Sequence, residues 1–274
     1  MTVFISTDSP FLTADTRANR WAIPYHPECV NGRIGVLLDE NRDTISGKSV
    51  LDIGSHIGTF AWAALQFGAK FVHGIDCEKE NIVRCKDLFQ GEGLDKSSYK
   101  FEVRDVLEFL KGLEENSFDT VFCFGLMYYI TEPYHLLKLM ARVAKETLLI
   151  DTFTAAYFAV QGKDAPTAHP HLTNEVLNFP MMIVTPTQTE KKDYRLPEYF
   201  VRKGRNLSLI NLPTQSLLEL WFESLGLVWE QLDWSRYITR PCSFKDLLTP
   251  EQKIASHWAD IYSSGIRVSY RIDI

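Results

Sequence analysis

Between residues 49 and 151, short apolar runs alternate with longer stretches whose apolar residues recur at helical spacing. The apolar runs are predicted to be strands, at residues 49–53, 71–75, 100–103, 118–124 and 146–151. The stretches between them are predicted to be helices, at residues 59–67, 79–90, 106–113 and 133–144. Strands that alternate with helices in this way form a parallel sheet that is covered by helices on both faces.

The alternation stops between about residue 154 and residue 212, where five prolines interrupt every candidate element. We interpret this stretch as an insertion, because connections of such length commonly serve as lids or binding loops. Its aromatic residues would suit a cover over an apolar or ring-shaped ligand. Its basic residues are more typical of a solvated face; they are Lys191, Lys192, Arg195, Arg202, Lys203 and Arg205.

The pattern returns after the insertion, and one more helix precedes the first strand. The additional helices are predicted at about 32–41, 214–224 and about 250–263, and the additional strands at 228–234 and 266–272. The predicted fold class is α/β, a Rossmann-like, seven-stranded, mostly parallel sheet with helices on both faces and a lid-like insertion after strand 5. Residues 1–47 are interpreted as an N-terminal arm and helix, and residues 48–274 as one domain carrying the insertion.

Composition narrows the classes of function that fit the chain. Hydrophobic residues make up 45% of the sequence and charged residues 23%, which is typical of a globular protein with a buried core. The formal net charge is -6, so we expect no overall attraction to phosphate backbones, and nucleic acid is disfavoured as a partner. Five scattered cysteines lack the spacing of a structural metal site, and no metal is expected. The absence of a leader pattern or long apolar run predicts a cytoplasmic protein without a membrane partner.

A glycine-containing turn follows the first predicted strand and opens a helix. It begins at Asp52 and contains Gly54, Ser55, His56 and Gly58. In a sheet of this kind, the turn after the first strand presents backbone N–H groups to a ligand. Glycines allow a tight turn and a close approach of backbone and ligand. These five residues are therefore predicted to bind a cofactor.

Two acids follow the next strands at the same edge of the predicted sheet. Asp76 ends the second strand about twenty residues after the turn, where a carboxylate accepts hydrogen bonds from both hydroxyls of a ribose. The alternative is that Asp76 caps the helix that begins near Lys79. Asp105 follows the third strand, where it could face an adenine amino group or serve as the N-cap of the helix at 106–113.

The motifs together resemble those of class I S-adenosylmethionine-dependent methyltransferases. The matching segments are Leu51-Asp52-Ile53-Gly54-Ser55-His56-Ile57-Gly58-Thr59-Phe60, Gly74-Ile75-Asp76, Arg104-Asp105-Val106 and Phe118-Asp119-Thr120-Val121. The first lacks a further glycine at His56, as does the FkbM-type branch. The resemblance implies S-adenosyl-L-methionine as cofactor, with Phe124 and Gly125 beside its sulfonium, and an antiparallel last strand.

A narrower resemblance follows the fourth strand. Gly125-Leu126-Met127-Tyr128-Tyr129 and the later Pro133 are similar to a stretch of the tRNA wobble-uridine carboxymethyltransferase group. Tyr128 matches the tyrosine of that group, whereas Tyr129 replaces its histidine. Because the chain is acidic, we take from this resemblance the fold and not the substrate. The predicted acceptor is a small molecule, aromatic or sugar-like in character.

Methyl transfer from a sulfonium is an in-line displacement, in which the protein mainly aligns the reacting atoms in a dry pocket. A hydroxyl or phenol acceptor would also need a base. The catalytic candidates are Tyr128, Tyr129, His135 and Asp151, with His169 and His171 as weaker ones. His135 is more typical of a structural or solvent-facing histidine, and Asp151 would equally well cap the segment that follows it.

Two other functions share part of this pattern. An NAD-dependent oxidoreductase has the same strand, turn and ribose acid, but Asp52 stands where a dinucleotide motif requires a glycine. A non-catalytic S-adenosylmethionine-binding protein would retain the turn and the acid without turnover. The sequence favours the methyltransferase over both.

Overall fold

A computed structural model describes residues 2–14, 26–160, 168, 170–188, 200–238 and 257–274. Its larger sheet has seven strands in the order β3-β2-β1-β4-β5-β10-β9, and a second sheet has three in the order β6-β8-β7. The strands are β1 Ser49–Ile53, β2 Phe71–Asp76, β3 Tyr99–Val103, β4 Phe118–Phe124, β5 Ala144–Phe153, β6 Met182–Gln188, β7 Phe200–Arg202, β8 Arg205–Pro213, β9 Val228–Gln231 and β10 Arg267–Asp273.

Helices connect most of these strands. They are α1 Pro10–Thr13, α2 Pro27–Ile34, α3 Thr59–Gln66, α4 Lys79–Gly91, α5 Val106–Lys111, α6 Pro133–Val143, α7 Asn174–Leu177, α8 Gln215–Ser224 and α9 Asp260–Ser263. Within the described residues, no helix has the length and apolar character needed to cross a bilayer.

The direction of the strands confirms the predicted fold class. β1 pairs in parallel with β2 and β4, and β2 pairs in parallel with β3. The last strand runs the other way, because Thr154 N–H donates to the Ile266 carbonyl while Ile274 N–H donates to the Glu146 carbonyl. Later residues of the β10 segment thus bond to earlier residues of the β5 segment, which is the pairing of antiparallel strands. The larger sheet is mostly parallel with an antiparallel last strand, as predicted.

The chain forms two compact units. The first comprises residues 1–124, 137–150 and 271–274, and the second comprises residues 125–136 and 151–270. In the first unit, β1 forms the centre of the core, with Val50, Leu51 and Ile53 fully buried. The predicted boundary between an arm at 1–47 and a domain at 48–274 follows sequence pattern alone and stays a prediction.

The small antiparallel sheet is a feature that the sequence analysis missed. The segment at 154–212 was expected to lack regular elements because of its prolines, yet β6, β7 and β8 lie within or just beyond it. Pro186 stands inside β6, which lies at an edge of the sheet. An edge strand tolerates proline because one side of its backbone needs no partner.

The helix before β1 begins earlier than predicted. His26 caps α2 through its Nδ1 atom, which accepts from Glu28 N–H, and Pro27 occupies the first helical position. The helix then continues as a π-helix, Gly35–Asp39. The buried Asn41 side chain donates to the carbonyls of Val36 and Leu37 and so satisfies backbone groups that the change of pitch leaves free. Of the helix predicted at 250–263, residues 250–256 lie outside the described chain.

Candidate functional site

The first unit contains a pocket where β1 and β4 end. It spans about 520 Å³ when the open solvent at its mouth is included. The pocket is lined by Phe11, Leu12, Val30, Arg33, Asp52, Gly54, Ser55, His56, Thr59, Phe60 and Phe124. Five of the residues predicted to bind a cofactor, Asp52, Gly54, Ser55, His56 and Phe124, thus lie together in one cavity.

The turn between β1 and α3 adopts an unusual backbone conformation. Gly54, His56 and Gly58 all have positive φ angles, of 72°, 50° and 81°. Such angles are readily adopted by glycine and strained for most other residues. The N–H groups of Gly54 and Ser55 both donate to the carbonyl of Ile75, which fixes the turn to β2.

Gly58 is required for packing as well as for backbone conformation. A Cβ atom at this position would lie 2.6 Å from Cys85 Sγ and 2.7 Å from Phe89 Cε2. Both neighbours belong to α4, and both are fully buried. Gly58 therefore lets the start of α3 pack directly against α4, which explains its part in the motif without any ligand contact.

Asp52 is the buried acid of the pocket. It is only 3% exposed, and its Oδ2 atom has no hydrogen-bond partner among the described residues. The pKa of Asp52 is raised to about 7, mainly by burial and also by the nearby Asp76, while Arg33 opposes the rise. Ser55 Oγ is also buried without a partner. Buried polar groups without partners are uncommon, so both atoms indicate a ligand.

Arg33 supplies a positive charge to the same pocket. It lies on α2, is only 3% exposed, and its guanidinium stacks 4.6 Å from the centroid of the Phe60 ring. The sequence analysis missed this residue, because α2 was predicted to be a structural helix that precedes the motifs. The only signal was an arginine in a helix whose residues from Cys29 onward are buried, and arginine is seldom fully buried unless it is paired.

Asp76 stabilises the turn that it was predicted to complement. Its Oδ2 atom accepts from His56 N–H at 2.9 Å, and its Oδ1 atom accepts from Glu78 N–H at 2.8 Å. The predicted alternative, a cap for the following helix, is thus partly observed, because Glu78 is the N-cap residue of α4. Asn81 Nδ2 also donates to Oδ1, at 3.3 Å, and the role of Asp76 toward a ribose stays a prediction.

The N-terminal segment forms one wall of the pocket. Phe11 and Leu12 of α1 line it, and the carbonyl of Phe11 accepts from Thr59 Oγ1 at 3.3 Å. The segment is also held at its other end, where Asn31 Oδ1 accepts from the N–H groups of Phe4 and Ile5. Residues 2–14 are therefore held against α2 and α3, while residues 15–25 lie outside the described chain.

Asp105 caps α5. Its side chain accepts from Glu108 N–H at 3.0 Å, it is exposed, and it is not among the lining residues of the pocket. The N-cap alternative is therefore observed, and contact with an adenine stays a prediction.

In the second unit, Gly125 lies beside two polar side chains. Gly125 has a φ of 79°, and a Cβ there would lie 3.2 Å from Arg267 Nη2 and 3.6 Å from the Tyr128 hydroxyl. A larger residue would thus displace the guanidinium. Tyr128 is buried and packs against Phe153, and Arg267 lies over the same ring at 4.7 Å.

Asp151 is an ion-pair partner in the structure, which counts against its predicted role as a base. Its carboxylate receives hydrogen bonds from Arg267 and from Ser269, and both members of the ion pair are buried. Burial works against the cation, yet Asp151, Tyr262 and Tyr128 together raise the pKa of the Arg267 guanidinium. A carboxylate held by a permanent cation is a poor proton acceptor at neutral pH.

The remaining catalytic candidates are more scattered. Tyr129 is half-buried and packs 4.3 Å from the Tyr128 ring, and His135 is half-buried on α6. His171 is exposed. His169 lies outside the described residues. The structure thus places the Tyr128 hydroxyl beside Gly125 and the Tyr129 ring beside Tyr128, and the catalytic roles of all these residues stay predictions.

The pocket combines groups that fit an amino acid. A carboxylate, a guanidinium and a hydroxyl lie in one cavity beside aromatic rings, and Asp52 and Arg33 can carry opposite charges. Such a pair can hold an ammonium and a carboxylate at once, because each charge of the ligand then finds a buried partner. The half-buried rings of Phe60 and Phe124, 5.1 Å apart between ring centroids, would cover the apolar part of a ligand.

Comparison with known proteins places these observations in context. A sequence family described as a methyltransferase domain matches residues 45–199, which is more than half of the chain. A tRNA U34 carboxymethyltransferase of Helicobacter pylori (strain G27) is 28% identical over 122 residues, covering 42% of this chain and 46% of that protein. The chain thus spans less than half the length of this curated relative.

Solved structures show the same architecture. An S-adenosylmethionine-dependent methyltransferase from Mesorhizobium loti has a TM-score of 0.50 at 12% identity, covering 84% of this chain and 93% of that chain. A putative S-adenosylmethionine-dependent methyltransferase from Listeria monocytogenes has a TM-score of 0.52 at 12% identity, covering 85% and 96%. At such low identity these likenesses establish the shared fold alone.

The tRNA-directed relative corrects one expectation. The predicted small-molecule acceptor, with nucleic acid disfavoured as a partner, was wrong, because the matching relative acts on tRNA. The prediction had been drawn from the net charge of -6. A net charge is a sum over the whole chain, whereas binding to a polyanion depends on the charge of one surface. Acidity of the whole chain therefore does not exclude a nucleic-acid substrate.

Proposed function

The chain belongs to the methyltransferase domain family and is an S-adenosylmethionine-dependent methyltransferase, and from this premise we propose that the pocket of the first unit binds the cofactor and that the acceptor is a base in RNA. The observation that carries the first part is the pair of buried, unpartnered atoms Asp52 Oδ2 and Ser55 Oγ beside the Arg33 cation. The second part depends on the relative.

The residues of the pocket fit the amino-acid end of S-adenosylmethionine. We assign the ammonium group to Asp52 and the carboxylate to Arg33, because each group of the ligand then lies against a buried side chain of opposite charge. Ser55 would add a hydrogen bond through its hydroxyl. Burial raises the pKa of Asp52, and an ammonium group bound beside it would favour the ionised form.

The sugar and the base of the cofactor are assigned to the neighbouring strand ends. Asp76 ends β2 and carries the only carboxylate that bonds directly to the turn in the described chain, so we assign the ribose hydroxyls to it. We assign the adenine amino group to Asp105 from its position in the sequence alone. His56, Gly54 and Gly58 shape the backbone between these groups.

When bound, the cofactor supplies a methyl group that is activated by a positively charged sulfur. The chain's own contribution is orientation and exclusion of water. Asp52 and Arg33 hold the two charged groups at one end, which limits rotation of the whole ligand. Phe60 and Phe124 present apolar surface beside them. Gly125 follows Phe124 in the chain and leaves room for Tyr128 and Arg267.

The acceptor is assigned from the tRNA-directed relative and from the segment after β4 that resembles the wobble-uridine group. Tyr128 and Tyr129 stand in the segment that resembles the wobble-uridine group, and the structure places Tyr128 beside Gly125. Tyr128 is our candidate for contact with the acceptor base, through stacking or through its hydroxyl. The match covers only 46% of that relative. We therefore propose RNA as the substrate of this chain and do not assign the nucleotide that it modifies.

A second candidate is transfer of a carboxymethyl group in place of a methyl group. The observation that favours it is the buried Arg267 guanidinium, whose Nη1 group donates to none of the described residues. A transferable group that carries a carboxylate would find a cation and the Tyr128 hydroxyl next to Gly125. The Helicobacter pylori relative is named a carboxymethyltransferase.

The first experiment is thermal unfolding with S-adenosylmethionine, S-adenosylhomocysteine and NAD(H) in parallel. A ligand that binds only the folded state raises the unfolding midpoint. Stabilisation by the two sulfur nucleosides and not by NAD(H) is expected, and the reverse result would favour the oxidoreductase. Stabilisation without transfer to any RNA would favour the non-catalytic binding protein.

Incubation with bulk tRNA then tests the acceptor. The nucleosides released by digestion are weighed by mass spectrometry, with S-adenosylmethionine and a carboxylated derivative of it as alternative donors. The mass added to a nucleoside identifies the transferred group. A Tyr128→Phe variant should retain cofactor binding and lose activity, more so with the carboxylated donor if the second candidate is correct.

A further inference from the structure

The small sheet of the second unit exposes an apolar face. Successive residues of a strand point to opposite faces, and the pairing register of β6, β7 and β8 places five exposed residues on one face. These are Met182, Val184, Pro186, Phe200 and Leu209. We call this the outer face of the small sheet.

The opposite face is mostly covered away from the hairpin. Ile210 and Leu212 of β8 are buried there and Ile183 of β6 is half-buried, whereas Val201 of β7 is exposed. An antiparallel sheet with one buried face normally carries polar residues on the other. Here the exposed face is apolar, and exposed apolar patches of this kind mark sites of interaction.

A tight hairpin turn sets two arginines at the end of the outer face. Lys203 and Gly204 connect β7 to β8 with φ angles of 51° and 72°, which is the pattern of a type I′ turn. Arg202 and Arg205 are therefore direct partners across the hairpin and lie on the same side as Phe200. Like charges placed directly opposite each other destabilise a sheet.

No acid within the described chain relieves this repulsion. Neither Arg202 nor Arg205 forms a salt bridge with a described residue, and both are exposed. A free protein that keeps two guanidiniums opposed in this way is less stable than it could be. An anion that bridges the two arginines would convert the repulsion into two charge-assisted hydrogen bonds.

The sequence around the hairpin is basic in an acidic chain. Residues 190–205 contain six lysines and arginines against three acids, although the whole chain has a net charge of -6. Three aromatic residues, Tyr194, Tyr199 and Phe200, are interleaved with the basic ones. A local positive charge on a negative protein orients an approaching polyanion toward that one surface.

We propose that the outer face of the small sheet binds a single-stranded loop of the RNA acceptor, with phosphates on Arg202 and Arg205 and unpaired bases on Phe200 and Leu209. This rests on the proposed function for the identity of the RNA as acceptor, and it adds the surface that holds it. Cations beside an apolar and aromatic platform are the combination that single strands need, because both the backbone and the base faces are then contacted.

Other occupants fit the surface less well. A second protein would find little complementary charge for two opposed arginines unless it were itself strongly acidic. A fully paired duplex offers phosphates but keeps its bases stacked, so the apolar residues would gain no contact. A single-stranded loop uses both parts of the outer face.

The test measures binding of a fluorescently labelled RNA stem-loop to the full chain by anisotropy, with a paired duplex of similar length as the comparison probe. The variant R202Q/R205Q removes the opposed charges, and K86Q/K96Q removes two exposed charges from the first unit as a matched control. At about 100 mM salt we expect R202Q/R205Q to weaken stem-loop binding at least tenfold and K86Q/K96Q less than about twofold.

Three further measurements separate binding from folding. R202Q/R205Q should unfold at the same temperature as the wild type or higher, since the substitution relieves repulsion. A plot of the logarithm of RNA affinity against the logarithm of salt concentration should be less steep for R202Q/R205Q, by the amount that about two phosphate contacts contribute. Phe200→Ala should weaken binding of the stem-loop about fivefold or more and leave the duplex nearly unaffected, because stacking requires unpaired bases.

Several results would overturn the proposal. Equal losses in R202Q/R205Q and K86Q/K96Q would mean that only overall charge matters, and undiminished binding in R202Q/R205Q would exclude the outer face. Binding of phosphatidylserine vesicles that R202Q/R205Q abolishes, with RNA binding unchanged, would assign the surface to a membrane. If the wild type modifies RNA with the same KM as R202Q/R205Q, the surface assignment fails while the proposed function stands. Absence of RNA binding by the wild type would refute both, with cofactor-induced stabilisation unaffected.

Discussion

The Asp76 carboxylate accepts a hydrogen bond from the backbone N–H of His56 at 2.9 Å, which joins the end of β2 to the turn after β1. One acid therefore stabilises the local backbone and stands beside the site to which we assign the cofactor. His56 has a φ of 50°, a conformation that few side chains adopt without support. The bond from its N–H supplies part of that support.

Asp76→Ala should lower both the stability of the chain and its affinity for S-adenosylhomocysteine. We expect an affinity loss of more than about tenfold, because a charged acceptor that faces two hydroxyls contributes a few kcal/mol. Asp76→Asn keeps an oxygen for the His56 N–H and should recover most of the stability but not the affinity. Titration calorimetry and thermal unfolding check the two effects separately; equal affinity in the wild type and Asp76→Asn would contradict the ribose assignment.

Asp52 should make the stability of the ligand-free chain depend on pH. Burial raises its pKa to about 7 from a usual 3.8, so the protonated form stabilises the fold fully below pH 3.8 and this contribution is lost as the pH rises through 7. Asp52→Asn removes the dependence. The variant should gain stability relative to the wild type between pH 4 and pH 8, by as much as about 4 kcal/mol.

Urea unfolding of both proteins across this range measures the gain, and the difference between them cancels all other titrating groups. A difference that does not change with pH would show that Asp52 is not the titrating group. Binding of S-adenosylhomocysteine gives the opposite trend. Affinity should rise through pH 7 in the wild type and stay low in Asp52→Asn, since only the carboxylate pairs with an ammonium.

Two arginines of the first unit offer a matched comparison. Arg33 stacks 4.6 Å from the Phe60 ring inside the pocket, and Arg42 stacks 4.5 Å from the Phe67 ring with a side chain that is 58% exposed. Arg33→Ala should weaken S-adenosylhomocysteine at least about tenfold by removing a buried cation. Arg42→Ala should change affinity by less than about twofold, because it loses only a surface contact. Similar effects of both substitutions would rule out the carboxylate assignment.

Two glycines with similar backbone angles isolate the packing at the motif. Gly47 has a φ of 74° and nothing within 4 Å of an added Cβ, whereas Gly58 has a φ of 81° and meets Cys85 and Phe89. Gly47→Ala should cost about 1 kcal/mol in free energy of unfolding, from backbone strain alone. Gly58→Ala should cost about 1–3 kcal/mol more because of overpacking. Chemical denaturation of both variants provides the measurement, and equal costs would contradict the close contact with α4.

The main sheet could be predicted because its strands are apolar and its helices amphipathic. β4 was predicted to its observed bounds, Phe118–Phe124, and β1 likewise, since a buried parallel strand is a continuous apolar run. The small sheet was missed because the prolines of the 154–212 segment were expected to interrupt every element, whereas Pro186 stands in an edge strand that tolerates it.

The candidate site was predictable only where it lies on the motifs. Asp52 and Ser55 follow from the turn after β1, and their place in a pocket agrees with that prediction. Arg33 did not follow, because a residue on a preceding helix reaches the pocket through tertiary packing that no local pattern encodes. Asp151 shows the same limit, since its partner Arg267 stands 116 positions later in the chain.

The N-terminal wall of the pocket has a consequence for the timing of the catalytic cycle. Because Phe11 and Leu12 close one side and Asn31 and Thr59 hold the segment in place, we expect detachment of residues 2–14 to widen the mouth of the pocket and to speed the release of spent cofactor. Local unfolding would then contribute to release in addition to diffusion out of a cleft. The turnover number of the enzyme could accordingly be set by the strength of a few backbone contacts at the start of the chain, far in sequence from any reacting group.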